Sequence, residues 1–178
     1  MKLSVGQKVS YPSQGICLIE DIKNKKIGDG LMMFYLLRVL SDNSTIFVPM
    51  ANAEAVGIRP IITPKQYKLL MDDLAADFED VSCDWKTRSR EYGEKLQSGC
   101  VFQAADVLKK LTFLSREKKL SFREQTLLEK AKFLIVSEVT NAGLAPESLI
   151  ENKLNKLIEN ACRKHYVTQP NVMTMAVH

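Results

Sequence analysis

Over residues 1 to 60 the hydrophobic positions come in short runs rich in β-branched and aromatic residues, each closed by residues with turn chemistry. The runs predict strands at Val5–Tyr11, Gly15–Ile22, Phe34–Leu40, Thr45–Val48 and Ala55–Ile58. Between them stand Pro12-Ser13-Gln14-Gly15, Gly28-Asp29-Gly30, Ser41-Asp42-Asn43-Ser44 and Pro49, all of which favour reversal of the chain. Five strands in so short a stretch predict a small SH3/Tudor-like β-barrel as a first domain, residues 1–62.

Beyond Pro60 the period lengthens to that of helices. Thr63-Pro64 supplies a cap and a first-turn proline for a helix running to about Asp77. Ser82 or Asp84 caps the next, and Gly99 ends it. Val101, Ala104, Ala105, Leu108 and Leu111 form one apolar stripe. Ser121 and Glu124 make a capping box for a helix that turns Leu127, Leu128, Ala131, Leu134 and Ile135 inward. A last helix opens at Pro146 and buries Leu149, Leu154, Leu157, Ile158 and Ala161. The expectation is an α+β chain: an all-α second domain over 63–166 and, since periodicity ends there, a mobile tail over 167–178.

Composition narrows the class. With 46% hydrophobic residues the chain can build cores. The absence of a long apolar run leads to the expectation of a soluble cytoplasmic protein, and the chain is expected to be a monomer. Cys17, Cys83, Cys100 and Cys162 are scattered without Cys-x-x-Cys spacing, and the histidines are only His165 and His178, so no metal or cofactor is expected and the thiols read as reduced, partly buried residues. The net charge of +4 hides an asymmetry. Residues 63–85 hold two bases against six acids, a net of −4, whereas 86–132 hold twelve bases against six acids, a net of +6. A basic segment of this kind suits a polyanion, and equally a solvated helical surface.

No phosphate-binding glycine loop, nucleophile–base set or helical His pair is present, so no enzyme is expected; catalysis would require a concave polar pocket with perturbed titratable groups, and none is expected. One segment stands out: Asp84-Trp85-Lys86-Thr87-Arg88-Ser89-Arg90. It carries the single tryptophan in the first turn of a predicted helix, followed by three cations, a composition suited to phosphates and an unstacked base. Trp85, Ser89, Tyr92 and Leu96 also share a helical stripe, so the indole could instead staple the helix to a core; pattern alone favours that second reading.

The chain resembles the CarD/CdnL family of bacterial RNA polymerase-binding regulators, whose first domain is shared with transcription-repair coupling factor. In the first domain the resemblance rests on Val5-Gly6, Tyr11-Pro12, Gly15, Tyr35 to Val39, Val48-Pro49 and Val56-Gly57-Ile58-Arg59. In the second it rests on Trp85, Arg88, Arg90-Glu91-Tyr92, Glu94-Lys95-Leu96, Ser98-Gly99, Val107-Leu108, Leu120-Ser121, Glu124 and Leu128. The resemblance implies a strand edge that pairs with the polymerase β subunit. It also implies a tryptophan placed in the minor groove of promoter DNA at the upstream edge of the transcription bubble. On this chain the expected DNA-binding residues are Trp85, Lys86, Arg88 and Arg90, and the expected polymerase-binding residues are Thr45, Ile46, Phe47 and Val48, with Lys25 adding charge. Thr87 stands where relatives often carry a cation, a contact that Lys86 can supply. The competing reading is an RNA-binding accessory protein of translation, since small basic SH3-like barrels also sit on ribosomal RNA.

Overall fold

The structure is a computed structural model and describes residues 2–169. Five strands come first: β1 (Lys8–Tyr11), β2 (Gly15–Ile27), β3 (Gly30–Val39), β4 (Thr45–Pro49) and β5 (Arg59–Pro60). They form one antiparallel sheet in the order β4-β3-β2-β1-β5. Among the described residues no ladder joins β4 to β5, so the strands expected to form a barrel make an open sheet whose two ends are β4 and β5.

Two differences from the sequence pattern have clear causes. The β2–β3 hairpin extends several residues past the predicted strands, because its outer arms are exposed and no burial pattern marks them. Its two-residue loop has Gly28 at φ 61° in the first central position, as a type II′ turn requires. At the other end, the predicted strand Ala55–Ile58 is absent. Met50–Asn52 forms a 3-10 turn, Gly57 sits at φ 86°, and pairing with β1 falls to Arg59 and Pro60. A left-handed residue cannot continue a strand. A bulge at Glu20 shifts the register from Ile19↔Leu37 to Asp21↔Leu36. Before it, Cys17 and Ile19 join Leu3, Val9, Tyr35, Leu37, Val39 and Val48 in the first core.

The helices are α1 (Pro64–Ala75), α2 (Trp85–Gln97), α3 (Val101–Glu117), α4 (Phe122–Asn141) and α5 (Glu147–Thr168). Two of the predicted N-terminal signals form complete capping boxes, Thr63 with Gln66 and Ser121 with Glu124. Helix α5 turns one residue from its expected phase at the start: Leu149 is exposed and Ile150 is buried. It also outlasts the expected boundary at 166, since the Thr168 hydroxyl donates to Asp77 Oδ2 at 2.7 Å and ties the last turn to the loop after α1. The rest of the expected tail, residues 170–178, lies outside the described residues. No described helix is long and apolar enough to cross a membrane. Of the four cysteines, all free, Cys17 and Cys162 are buried and Cys100 is half-buried, but Cys83 is exposed because it lies in the loop before α2. Burial, and secondarily Asp42, pushes the Cys17 thiol up to about 11.

Sheet and helices meet in a tight seam. The Arg59 fork donates through Nη1 and Nη2 to both oxygens of Glu138 on α4, at 2.6 and 2.9 Å, and through Nε and Nη2 to the Gly99 carbonyl, at 3.1 and 2.6 Å. Glu138 also accepts from the Ile62 N–H at 3.0 Å. Lys8 Nζ reaches the Asn141 carbonyl at 3.1 Å. The Pro12 ring is wedged between Gly57 and Gly99, each of which would bring a Cβ to 2.9 Å from Pro12 Cγ. Contact this close is open only to glycine. The cleft remaining there has a volume of about 10 Å³, room for at most a single water.

Candidate functional site

Helix α2 begins where Asp84 accepts the Thr87 N–H at 3.1 Å, with the Thr87 hydroxyl on the same carboxylate oxygen. These two bonds, the hydroxyl's first, hold the Asp84 carboxyl below the usual carboxylate range. Thr87 thus fixes the start of the helix. Trp85 follows the cap, and its side chain is 63% exposed. The staple reading favoured by the sequence pattern is therefore overturned. The stripe that buries α2 is Arg88, Tyr92 and Leu96, at i, i+4 and i+8.

Arg88 corrects a second expectation. It was assigned to DNA, but it is 2% exposed and points into the helical domain. Its Nη2 and Nε donate to Glu124 Oε1 at 2.8 and 3.2 Å, and Nη1 donates to the Ser82 carbonyl at 2.6 Å. Burial works against ionisation of Glu124, yet bonds from Ser121 and Arg88 prevail and hold its carboxyl below the ordinary value. The same carboxylate closes the α4 capping box, so one ion pair joins the starts of α2 and α4. The loop before α2 is braced from behind as well. Phe78 stacks on His165 of α5 with centroids 4.2 Å apart, and His165 Nδ1 shares a 2.9 Å hydrogen bond with Asp77.

Much of the positive balance of 86–132 is likewise internal. Lys109 and Lys110 are buried, the first donating to the Asp73 carbonyl at 2.6 Å and the second paired with Asp106 at 3.0 Å. Lys95 pairs with Asp106 at 2.7 Å and with Glu91 at 3.1 Å. Asp73, Lys95, Asp106 and Lys109 line an open polar basin of about 570 Å³ between α1, α2 and α3, a concavity that was not expected. Asp106, Asp73 and Glu79 in its lining each face a lysine. Burial opposes ionisation of Asp106, but Lys95 and Lys110 hold its carboxyl below the ordinary value, the reverse of what a general acid needs.

What remains on the outer face of α2 is a shallow groove of about 330 Å³ lined by Trp85, Lys86, Ser89, Arg90, Gly93, Glu94, Gln97 and Arg123. Lys86 and Arg90 are exposed, and Lys86 Nζ lies 5.7 Å from the indole centroid. Arg123 was missed in the sequence because it comes from α4, in the turn next to Glu124. Its Nη2 would lie only 3.5 Å from a Cβ at position 93, so the bare backbone of Gly93 is where the guanidinium crosses α2. The surface therefore presents one ring and three cations, with Arg123 in place of Arg88.

The second candidate surface is the outer edge of β4. Val39 N–H donates to the Ser44 carbonyl at 2.8 Å, so the antiparallel alternation turns the backbone groups of Ile46 and Val48 toward β3 and those of Thr45 and Phe47 toward the open side. Side chains follow the same parity: Val48 is buried and Ile46 half-buried in the sheet, while Thr45 and Phe47 are exposed. Lys25 reaches across from the hairpin, its Nζ 3.5 Å from the Phe47 ring centroid. The structure thus brings Lys25 and Phe47 together beside an unpaired edge.

Both halves of the chain match family models. Residues 3–62 match the CarD-like/TRCF RID domain, and residues 69–155 match the CarD C-terminal domain. The chain belongs to the CarD family. Among relatives, a Bacillus subtilis (strain 168) protein named as a candidate transcription factor, YdeB, is 26% identical over 135 residues, covering 76% of this chain and 88% of that one. Among solved structures, the solution structure of the 72-residue N-terminal domain of Myxococcus xanthus CarD is 32% identical and covers 33% of this chain and 79% of its own, with a TM-score of 0.29. Membership of the CarD family supports transcription regulation as the broad role of the chain and gives the translation reading no support.

Proposed function

We propose that this CarD-family chain grips the β subunit of RNA polymerase through the β4 edge and sets the Trp85 indole in the minor groove at the upstream edge of the transcription bubble. Lys86, Arg90 and Arg123 meet the flanking phosphates. An incoming strand gains backbone hydrogen bonds at Thr45 and Phe47, which need little side-chain identity. A ring driven between stacked bases costs a few kcal/mol in duplex DNA and less where the polymerase has already opened the next pairs. The protein therefore binds the open complex better than the closed one and shifts the population toward it. The observation that carries this reading is the 63% exposure of Trp85 on a helix already anchored by Arg88, Tyr92 and Leu96.

Trp85→Ala tests it. Stability should stay within about 0.5 kcal/mol of the parent, as at an ordinary surface position. The loss of ~1 to 3 kcal/mol of stacking should shorten the open-complex lifetime roughly 5- to 150-fold. Phe should restore part of the effect and Leu less, with affinity for the isolated β subunit unchanged. A stable variant that prolongs the complex like the parent would remove the wedge.

A further inference from the structure

The two surfaces lie on opposite sides of one seam. The docking edge β4 and the strand β5 that carries Arg59 are the two ends of the sheet order, four strand spacings or ~19 Å as measured along the sheet. At the β5 side, Arg59 holds the carbonyl of Gly99, the residue at φ 76° that closes the C-terminal end of α2. Trp85 sits at the far end of the same helix, fourteen residues or ~21 Å away at 1.5 Å per residue. The helical domain, in which Arg88, Tyr92 and Leu96 fix α2, is thus bolted to the sheet at the Gly99 end of that helix, with the indole at the far end. A slip of about 10° at the bolt carries the indole by ~3.6 Å, about one base step of 3.4 Å along a strand.

The bolt is built to prevent such a slip. Pro12 is clasped by Gly57 of the sheet and Gly99 of the helical domain, which removes sliding, and the Arg59 fork spans Gly99 and Glu138, which resists rotation. Glu138 is 3% exposed and also holds the N–H of Ile62, the last residue before the helical domain. We infer that Arg59 and Glu138 are positioning residues: with the Pro12 clasp they set the reach from the β4 edge to Trp85, so that polymerase docking delivers the indole to one base step. This inference rests on the wedge reading. It adds that the reach is held by the seam and not by the two surfaces themselves.

The test uses the full chain and two mild variants. Glu138→Gln keeps an acceptor for Ile62 but removes the charge; Arg59→Lys keeps the charge but cannot span Gly99 and both oxygens of Glu138. Spin labels on Cys83, beside Trp85, and on Asp29→Cys at the hairpin tip report the reach in the free protein, with Cys100→Ser removing the half-buried thiol. The parent should give one narrow distance distribution, and both variants a wider one, with β-subunit affinity unchanged. Losing half of the stacking free energy corresponds to the square root of the Trp85→Ala factor, so their open-complex lifetimes should fall roughly 2- to 12-fold. Parental width in both variants, or full function in Arg59→Lys, overturns the inference. Trp85→Ala run alongside separates the two failures. If it shortens the lifetime and the seam variants do not, the joint falls and the wedge stands. If it has no effect, the wedge falls and the distance width alone decides the joint.

Discussion

Replacing Arg88 with Ala separates structure from DNA contact most sharply. The change strands the Glu124 carboxylate, whose side chain is 6% exposed, and leaves the Ser82 carbonyl without its 2.6 Å donor. Breaking a buried ion pair from one side costs about 3–5 kcal/mol, because the orphaned charge stays desolvated. Two features of Glu124 favour the lower end: it keeps the Ser121 N–H, and it lies in the first turn of α4, where the helix dipole favours an anion. About 3 kcal/mol, at roughly 2–4 °C per kcal/mol for a chain of this size, lowers the melting temperature by about 6–12 °C. Thermal and urea unfolding followed by circular dichroism give the number. Glu124→Gln in the same background should recover part of it, and the double-mutant cycle isolates the pair. The pH dependence has a definite sign. The folded-state pKa of Glu124 is depressed, so its contribution is complete above the unfolded value near ~4.3 and is lost as pH falls through the folded value. The parent should lose stability over that acid range more steeply than Glu124→Gln. An Arg88→Ala protein that melts like the parent and instead loses DNA affinity, with a smaller salt slope, would return Arg88 to the phosphates and refute the internal role.

Other outcomes follow from the same geometry. Three phosphate contacts by Lys86, Arg90 and Arg123 imply a salt slope of about −2.7, so a fourfold rise in salt should weaken the DNA-binding term roughly 40-fold, and the triple alanine variant should lose that slope without unfolding. Phe47→Pro removes a donor that faces away from β3, so the sheet should persist while affinity for the β subunit drops; unchanged affinity would place the docking edge elsewhere. Gly93→Ala meets Arg123 only at an ordinary 3.5 Å contact, and relief of the helical glycine should raise stability by about 0.5–1 kcal/mol in a urea melt, with DNA binding retained.

The parts of the structure that local chemistry decides were readable in the sequence. Thr63 before Pro64, Ser121 with Glu124, and Gly99 after α2 are signals spread over a few residues, and each formed where expected. The phase of α2 was not readable in that way. Trp85 and Arg88 are neighbours on the helix, and which of them turns inward depends on Glu124, 36 residues beyond Arg88 in the chain. A buried cation is disfavoured until its partner is known, so hydrophobicity alone pointed to the ring. Arg123 was hidden for the same reason, since only the packing of α4 against α2 brings it over Gly93. The hairpin arms gave little signal because they bury little, and β5 moved because Gly57 bends the chain to reach Pro12. The β4 edge was an expectation from the family resemblance, and which of its backbone groups face outward needed the register of the ladder.

The exposure of Trp85 has a practical side. It is the chain's single tryptophan, so the protein's indole fluorescence comes from one group, and that group is the proposed wedge. Excited beyond the absorption of the tyrosines, it should emit in the free protein as a ring in water. Stacking on a base should quench it. The chain then carries its own optical reporter, and stopped-flow mixing with polymerase and promoter can time the arrival of the ring against the opening of the DNA, with no dye attached to either partner.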